Sequence, residues 1–468
     1  MPQSWTQAPT VAVVGGGLAG LAACCALASS GFKLTLFERR PYLGGRASSY
    51  QHPGTGEVID NCQHVLLGCC TNLIEFYERT GVAASSIRWF DRMTFLEPGG
   101  RASEIGPSAW PAPLHTTPAF LRAACLEVAD KVAIARAMMA LAPMTPRDTG
   151  ESFLGWLNRH GQTERAIERF WKPVLVSALN EEVDRVSVPY AAQVMRESFL
   201  KSAAAGRMGV PTVPLTELYS AAGNYIREHQ GDVRYRASAE SFRADLSQVK
   251  LAVGGREETF DYVVLALPFD SLERILPDSS ASQPLRNALA RFETSPITGI
   301  HLWFDREISN LEHAVLLDRT IQWMFHKSKL QKRDDNGHGS YVELVVSASK
   351  SLVEKSRQEI VDLAVSELRE FFPKARDANL LKSTVIKEIH ATYSPRPGIE
   401  MDRPRPETVW PRVFLAGDWT ATGWPATMEG AVRSGYLAAQ SLARVAGPRD
   451  ATFLVPDLPP TGFMRLFG

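Results

Sequence analysis

The sequence has no excess of charge of either sign. Lys and Arg number 51 among the 468 residues and Asp and Glu also number 51, so the formal net charge is zero. General binding to nucleic acid needs a basic excess that displaces phosphate counterions, and this composition excludes it. The apolar share is 45% and the charged share 22%, which is typical of a globular protein rather than a disordered one.

Cysteine is scarce. The six cysteines include no CxxC spacing, which excludes a secreted disulfide framework and leaves no support for a zinc or other metal site. Free thiols are typical of the cytosol. The chain is about three times the roughly 150 residues of an average domain, so two or more lobes with a large core are expected.

One uncharged stretch, the 18 residues Val11–Ala28, raises the question of a membrane span. That length approaches a membrane span, but it contains four glycines, three of them consecutive, which suit a strand, a turn and a helix better. A signal peptide would carry Lys or Arg before its apolar region, and residues Met1–Thr10 contain neither. We therefore expect a cytoplasmic protein, with at most a peripheral contact to the inner face of the cell membrane.

The clearest motif follows the β-branched run Val11–Val14. It has the GxGxxG form, with glycines at Gly15, Gly17 and Gly20. In a dinucleotide fold the first glycine makes a tight turn, the second lets the backbone approach a pyrophosphate, and the third packs the helix on the strand. The helix N-terminus then offers N–H groups to the anion. A second strand ends at Glu38, where an acid meets the ribose hydroxyls.

Two further glycine motifs discriminate between dinucleotides. Residues Arg39–Arg46 hold a second glycine turn among basic residues, with Gly44, Gly45 and Arg46 at its end. A buried-strand pattern ends at Gly417-Asp418, and a small-residue helix opens at Met428. An acid after a strand and a helix start suit the flavin end of a long dinucleotide. No second strand-GxGxxG-helix unit occurs, so no nicotinamide site is expected and electrons must come from substrate, oxygen, quinone or a separate donor protein.

Together these elements resemble the flavin-containing amine oxidase and phytoene desaturase superfamily. The resemblance implies bound FAD and an α/β fold with two lobes, a Rossmann-type FAD domain and a substrate domain of mixed sheet and helices. It also implies that Val233 lies against the adenine and that Arg39 and Met428 belong to the cofactor site. The usual third glycine turn is replaced here by Val213-Pro214. The resemblance divides the chain into an FAD domain at 8–65, 205–272 and 405–445, a substrate domain at 66–204 and 273–404, and a tail at 446–468.

A narrower resemblance rests on three segments, Asp60–Asn72, Ile300–Asp305 and Trp424–Gly430, which look like hydroxysqualene dehydroxylases. This family implies that reduced flavin removes the allylic hydroxyl of hydroxysqualene to give squalene, in squalene and hopanoid synthesis. The flavin would then need an external electron donor or reductase.

That reaction requires a proton donor and a wall that favours positive charge. The candidate acids are Asp60 and His64, since the family motif puts them near the start of the substrate lobe. A packed core histidine is an equal alternative for His64, and a structural cap or flavin contact is the alternative for Asp60. The aromatic wall is predicted from four tryptophans: Trp303, Trp323, Trp419 and Trp424.

The substrate lobe is expected to begin with helices, including a long Ala/Leu/Met face over Ala119–Met144. Strands are predicted at 297–304, 321–326 and 341–346, with Ile321, Trp323 and Phe325 on one face. The charged stretch Lys327–His338 is predicted to be a solvated loop. Interfacial contact with a membrane is predicted for Ala119–Met144 and for the tail at 461–467, against ordinary helix core and a frayed terminus as the alternatives.

Two other functions stay open. An oxidative carotenoid desaturase would take electrons from its substrate and pass them to quinone. A flavin-binding escort protein would do no chemistry at all. An amine oxidase is disfavoured by the Gly-Asp-Trp motif at 417–419.

Overall fold

The computed structural model describes residues 8–143, 147–331, 339–447 and 451–467. Its strands are β1 Thr10–Val14, β2 Lys33–Glu38, β3 Ser49–Gln51, β4 Val58–Asp60, β5 Leu66–Leu67, β6 Ile87–Phe90, β7 Met93–Leu96, β8 Ala102–Ile105, β9 Met208–Pro211, β10 Asp232–Tyr235, β11 Ala239–Ala244, β12 Val249–Val253, β13 Arg256–Phe260, β14 Tyr262–Leu265, β15 Thr294–Phe304, β16 His313–Leu316, β17 Trp323–His326, β18 Ser340–Ser347, β19 Leu380–Tyr393 and β20 Val413–Leu415. Its α-helices are α1 Leu18–Ala28, α2 Thr71–Arg79, α3 Thr117–Arg122, α4 Val128–Leu141, α5 Phe153–Arg159, α6 Glu164–Ala166, α7 Lys172–Leu179, α8 Val188–Met195, α9 Leu215–Glu228, α10 Phe269–Ile275, α11 Gln283–Leu289, α12 Lys327–Leu330, α13 Arg357–Phe371 and α14 Met428–Ala446.

Five parallel strands form the sheet around the glycine motif, in the order β10-β2-β1-β14-β20. The strands come from three distant parts of the chain, and Val11 pairs with both Leu34 and Tyr262. Helix α1 is buried along its whole length, and α14 packs on it. Gly435 permits this close packing, because a Cβ there would lie 2.2 Å from the Ala19 carbonyl oxygen. The uncharged run Val11–Ala28 therefore forms a central strand, a turn and a buried helix, as the sequence predicted.

A second sheet has seven strands in the order β19-β15-β18-β17-β16-β7-β8. Its pairs are antiparallel except for β16 with β7. The strands predicted at 297–304 and 341–346 lie within β15 and β18, and β17 covers only 323–326 of the strand predicted at 321–326. Trp323 and Phe325 share a face and stack at 5.5 Å between ring centroids. Ile321 was wrongly assigned to that face, because it precedes β17 and packs with Met324 in another cluster.

The helix predicted over Ala119–Met144 is broken in two. Helix α3 ends at Arg122, and α4 begins after Glu127. Glu127 and Asp130 form a reciprocal capping box that starts the new helix. Between α3 and α4, Cys125 and Leu126 enter the core, so the chain leaves the helical path. Met144 lies outside the described residues.

The solvated loop predicted at Lys327–His338 is wrong in its described part. Residues Lys327–Leu330 form α12, and the side chain of Lys327 has no solvent exposure. Residues 332–338 lie outside the described part. A buried lysine requires paired carboxylates, and Asp60 and Glu343 supply them. Among the described residues, no helix is long and apolar enough to cross a membrane.

Candidate active site

A cavity of about 800 Å³ joins the two large sheets. One end lies at the carboxyl ends of the parallel strands, where ligands bind in open α/β sheets, and includes Gly15, Glu38 and Ala266. The other end reaches β17 and β18 at Trp323, Phe325 and Val345. The cavity therefore places a nucleotide end and an apolar end in one continuous space.

Two of the motif glycines have the geometry that the sequence predicted, a turn at Gly15 and close packing at Gly20. A Cβ on Gly15 would lie 2.3 Å from the Ala266 carbonyl oxygen, and Gly15 has φ +109°. A Cβ on Gly20 would lie 1.9 Å from the Gly15 carbonyl oxygen, so Gly20 serves packing and does not itself line the cavity. Gly17 caps α1 and lines the cavity; a Cβ there would meet only Gly45, at 3.9 Å. The space beside Gly17 is open for a pyrophosphate.

Glu38 stands at the end of β2 and lines the cavity together with Arg39. Its Oε2 accepts a hydrogen bond from the Gly16 N–H at 2.7 Å, and its Oε1 accepts one from the Arg40 N–H at 2.7 Å. These bonds fix the carboxylate beside the glycine turn. It is therefore held where a ribose would meet it.

The second glycine turn joins three distant segments. Gly44 and Gly45 both have positive φ, at +110° and +62°, and the Gly44 N–H donates to the Gly16 carbonyl at 2.8 Å. Arg46 donates to Asp418 Oδ1 at 2.7 Å and to the Ala391 carbonyl at 2.6 Å. The three motif residues Gly44, Gly45 and Arg46 line the cavity, as does Asp418.

The C-terminal motif also borders the cavity. The Gly417 N–H donates to Ser434 Oγ at 2.8 Å, which fixes the turn after β20. Met428 is the first residue of α14, and the Tyr219 hydroxyl contacts its Sδ at 3.6 Å. Gly417, Asp418 and Met428 all line the cavity.

Val233, like Gly20, is a predicted cofactor residue that does not line the cavity. It lies on β10, paired with Leu36, and packs against the cluster formed around α1 and α9. It is not part of the cavity wall, where residues 237–240 appear instead. The wall at this point is formed by the chain after β10, because the strand carries Val233 on the face toward the helices.

The donor set fits FAD. An open position beside Gly17, the first N–H groups of α1, and the carboxylates of Glu38 and Asp418 lie along one cavity. A helix N-terminus with a glycine approach suits a pyrophosphate, and carboxylates suit hydroxyl groups of the sugar and ribityl parts.

The assignment of Asp60 as a proton donor is wrong. Its Oδ2 lies 2.5 Å from Lys327 Nζ, and its Oδ1 accepts from Ser49 Oγ at 2.5 Å and from the Leu215 N–H at 3.1 Å. Burial by itself raises the pKa of Asp60, but the Lys327 ammonium and these hydrogen bonds hold the pKa below its usual value. Asp60 also lies behind the cavity wall rather than in it. It is a buried anion that anchors the segment after β4.

Lys327 is shared by several groups. Its Nζ contacts Asp60, the Gln63 Oε1 at 2.8 Å and the Glu343 Oε2 at 3.4 Å. Gln63 lines the cavity, so this cluster holds the wall segment Asn61–His64 from behind. Burial raises the pKa of Glu343 to about 7, opposed by Lys327 and assisted by Asp60. One cation thus faces two carboxylates. Of the two, Glu343 is the one that takes up a proton as the pH falls through about 7.

This raised pKa makes stability depend on pH. A carboxyl group with a higher pKa in the folded than in the unfolded chain contributes stability at low pH that is lost as pH rises through about 7. Gln at this position cannot ionise. Between about pH 5 and pH 7, we therefore expect the free energy of unfolding to fall less steeply with pH in Glu343→Gln than in the wild type, and the two slopes should differ by up to ~1.4 kcal/mol per pH unit. Urea denaturation at several pH values measures the slope, and equal slopes in both proteins would contradict the assignment.

His64 does line the cavity. Its Nδ1 lies 2.7 Å from the Cys62 carbonyl oxygen, which only accepts, so the proton is on Nδ1 and Nε2 carries a lone pair. Burial lowers the pKa of His64 below its usual value, so the ring is neutral near pH 7. The geometry therefore makes His64 a proton acceptor.

The four predicted tryptophans divide into two pairs. Trp323 and Trp424 line the cavity. Trp303 stacks on Tyr341 at 4.4 Å with nearly parallel rings, away from the cavity. Trp419 is core, with its Nε1 donating to the Leu267 carbonyl at 2.9 Å. The aromatic wall thus contains two of the four, because the other two complete the packing of their own lobes.

Two polar residues of the site were missed by the sequence reasoning. Glu388 on β19 lines the cavity and accepts from Asn61 Nδ2 at 3.1 Å. The sequence assigned Lys327 to a solvated loop, because nothing in the charged stretch Lys327–His338 indicated that one of its side chains is buried. The only available signal for Glu388 was its place in a long strand pattern, which does not say which face meets a cavity.

The comparisons with known proteins agree on one family. The profile of the family described as flavin containing amine oxidoreductase matches residues 18–443. Among curated relatives, zeta-carotene desaturase of Synechocystis sp. is 26% identical, over 92% of this chain and 96% of its own length. The 15-cis-phytoene desaturase of Synechococcus elongatus is 26% identical over 92% and 95%, and that of Arabidopsis thaliana 27% identical over 94% and 82%.

Solved structures share the fold. Wild-type putrescine oxidase bound to putrescine has a TM-score of 0.72 at 16% identity and covers 93% of this chain and 99% of its own. Cyclohexylamine oxidase from Brevibacterium oxydans has a TM-score of 0.68 at 17% identity, over 94% and 99%. These likenesses confirm the predicted two-lobed α/β fold of the flavin-dependent amine oxidases, with FAD as the cofactor.

Proposed function

Because the chain belongs to the flavin containing amine oxidoreductase family, we propose that it transfers hydride between FAD and a long, linear isoprenoid, in the direction of desaturation. The curated relatives named above are carotenoid desaturases, matched over nearly the whole chain. The far end of the cavity is apolar, with wall residues such as Phe95, Phe199, Trp323 and Phe325. An apolar space of this kind suits a hydrocarbon chain.

The observation that carries the direction is the state of His64. Desaturation removes a hydride from one carbon and a proton from its neighbour, leaving a double bond. FAD, when bound, accepts the hydride. The proton needs a base at the cavity wall, and the neutral ring of His64 presents Nε2 as an acceptor. An external acceptor of the quinone class would then reoxidise the flavin.

Reductive dehydroxylation of hydroxysqualene to squalene is the second candidate. A specific observation favours it: the segment Asp60–Asn72, which resembles that family, supplies Asn61–His64, Cys69 and Cys70 to the cavity wall. The reaction breaks an allylic C–O bond, adds a hydride to carbon, and protonates the oxygen to give water. It would need His64 in its charged form and an external reductase, since Asp60 is held as an anion.

Two anaerobic incubations distinguish the candidates. Oxidised protein is incubated with phytoene or zeta-carotene, and photoreduced protein is incubated with hydroxysqualene. Bleaching of the flavin with a new conjugated double bond supports desaturation. Reoxidation of the flavin with release of squalene supports dehydroxylation. A stable flavin spectrum in both cases, with no product, would overturn both and favour a flavin-binding escort protein.

His64→Asn tests the proposed base. Asn retains a donor for the Cys62 carbonyl but has no group at the Nε2 position, so we expect kcat to fall by about 100-fold or more with FAD retained. A base must be deprotonated, so the wild-type rate should fall as pH drops through a pKa below the usual value of 6.5. A rate that instead falls as pH rises through that pKa would indicate an acid and support dehydroxylation.

The matched control is His160→Asn. His160 also bonds a backbone carbonyl through Nδ1, that of Trp156 at 2.8 Å, but lies outside the cavity wall. Its kcat should be unchanged. Equal activity of His64→Asn and wild type would show that another group takes the proton.

A further inference from the structure

Helix α4 exposes an apolar stripe. Val128, Val132 and Met139 lie four and seven residues apart, which places them on one face of the helix. Val128 is 77% exposed and Met139 is 68% exposed. The opposite face, with Ile134 and Leu141, is buried in the core. Exposed side chains of this size on one stripe indicate a surface that contacts something apolar.

The C-terminal turn exposes further apolar side chains. Phe463 and Leu466 are exposed, the latter by 79%, while Met464 between them is buried and anchors the turn. The Phe463 N–H donates to the Ala112 carbonyl at 2.8 Å, and the Thr461 N–H donates to the Lys201 carbonyl at 2.9 Å. The segment is thus docked on the fold, so a frayed terminus does not describe it.

The two regions are linked through α3. Ala112 lies just before α3, and Leu121 at the end of α3 is also exposed. The carbonyl of Leu121 accepts a hydrogen bond from Lys131 Nζ at 2.8 Å, which joins α3 to α4. Hydrogen bonds therefore tie α4 to α3, and the turn at 462–466 to the chain that precedes α3. We call the stripe of α4, Leu121 and the exposed residues of this turn the apolar rim.

Basic residues border the apolar rim. Lys131 and Arg136 lie on the two sides of the α4 stripe, and Arg122 and Arg465 are exposed beside it. Of the two acidic residues at the start of α4, Asp130 is buried and accepts from Thr163 Oγ1 at 2.5 Å, and the exposed Glu127 is paired with Arg165. Apolar side chains flanked by cations complement a bilayer surface with anionic headgroups.

The apolar rim also adjoins the cavity. The chain from Gln193 to Phe199 supplies four or more residues to the cavity wall, and it leads directly to Lys201, which holds the C-terminal turn. A hydrocarbon taken from a bilayer at this point would therefore be close to the apolar end of the cavity.

We propose that the apolar rim is a peripheral contact for an anionic lipid bilayer, in which the side chains enter the headgroup region without spanning it. The basic residues around the apolar rim favour a bilayer over a second copy of the chain, because an isologous contact would bring the same cations face to face. The proposal extends the proposed function to the place of substrate uptake, but the binding itself requires no substrate.

Flotation with lipid vesicles tests the proposal on the FAD-loaded full chain without substrate. Vesicles of phosphatidylcholine with phosphatidylglycerol in equal parts are compared with phosphatidylcholine alone. We expect flotation with the anionic vesicles, weakened by high salt. The charge variant Lys131→Gln/Arg136→Gln/Arg465→Gln should bind about 100-fold more weakly, since each cation near an anionic surface contributes about 5-fold.

The apolar variant is Val128→Ser/Val132→Ser/Met139→Ser, and its matched control replaces three exposed apolar residues elsewhere by serine: Leu246, Met401 and Val409. All six positions are exposed, so both variants should keep the wild-type flavin spectrum and melting temperature. The apolar variant should lose at least about 10-fold in vesicle binding, and the control should bind as wild type.

Absence of flotation for the wild type would overturn the proposal, as would equal losses in the apolar variant and its control. A dimer that the apolar variant dissociates, with no vesicle binding, would assign the rim to a second copy of the chain. Flotation of a protein that turns over neither candidate substrate would leave the membrane contact in place while the proposed function fails.

Discussion

Lys327→Met is expected to lower the free energy of unfolding by about 3–5 kcal/mol. The ammonium of Lys327 is fully buried and contacts Asp60 at 2.5 Å and Glu343 at 3.4 Å. Removing one partner of a buried ion pair leaves the other charge without compensation in a low dielectric. Asp60 retains its bonds from Ser49 and Leu215, but these are weaker substitutes for a cation. Chemical denaturation of the FAD-loaded protein measures the loss.

The matched control is Lys329→Met, two residues along the same helix. Lys329 pairs with Glu307 at 2.8 Å near the surface, and such pairs contribute less than about 1 kcal/mol. The double variant Asp60→Asn/Lys327→Met removes both charges, and we expect it to recover at least half of the loss. If the double variant were no more stable than Lys327→Met, the cost would arise from packing rather than from the unpaired charge.

Gly17→Val is expected to abolish tight FAD binding while leaving the fold intact. Gly17 has φ −76° and ψ 175°, a conformation open to any residue. Its Cβ would meet no protein atom nearer than 3.9 Å, so the new side chain would fill the space of the pyrophosphate. Losing two hydrogen bonds to a charged phosphate costs about 3–6 kcal/mol, which is about 100-fold or more in affinity. Flavin content after purification and titration with FAD give the result.

Gly155→Ala is the control for Gly17→Val. It lies on α5 outside the cavity wall, where the atoms nearest to an added Cβ belong to the side chains of Glu151 at 3.3 Å and Ser152 at 3.6 Å. Its flavin content should equal that of the wild type. A Gly17→Val protein that still holds FAD tightly would show that the pyrophosphate does not pass beside this glycine.

The failure of the Asp60 assignment has a physical lesson. The sequence places Asp60 between apolar residues, and desolvation there does act to raise its pKa, as predicted. The cation that opposes this rise in pKa belongs to Lys327, 267 residues further along the chain, and no local sequence pattern indicates the pairing. His64, four residues beyond Asp60, lines the cavity, but its Nδ1 bond to the Cys62 carbonyl leaves Nε2 as an acceptor rather than the predicted donor.

The sequence alone determined the nucleotide end of the molecule. Gly15, Gly17, Gly20 and Glu38 lie within 24 residues of one another, and their spacing specifies backbone conformation and close approach directly. Local geometry of this kind needs no knowledge of what packs around it. The family resemblance then predicted the cofactor and the two-lobed fold, both confirmed by the comparisons.

Only the tertiary structure decided the substrate end. Trp303 and Trp323 lie on strands of the same seven-stranded sheet, yet one is core and the other lines the cavity. Alternation along a strand separates two faces but does not say which face a distant lobe will cover. The burial of Lys327 was decided in the same way, because its partners Asp60 on β4 and Glu343 on β18 come together around it only in the folded chain.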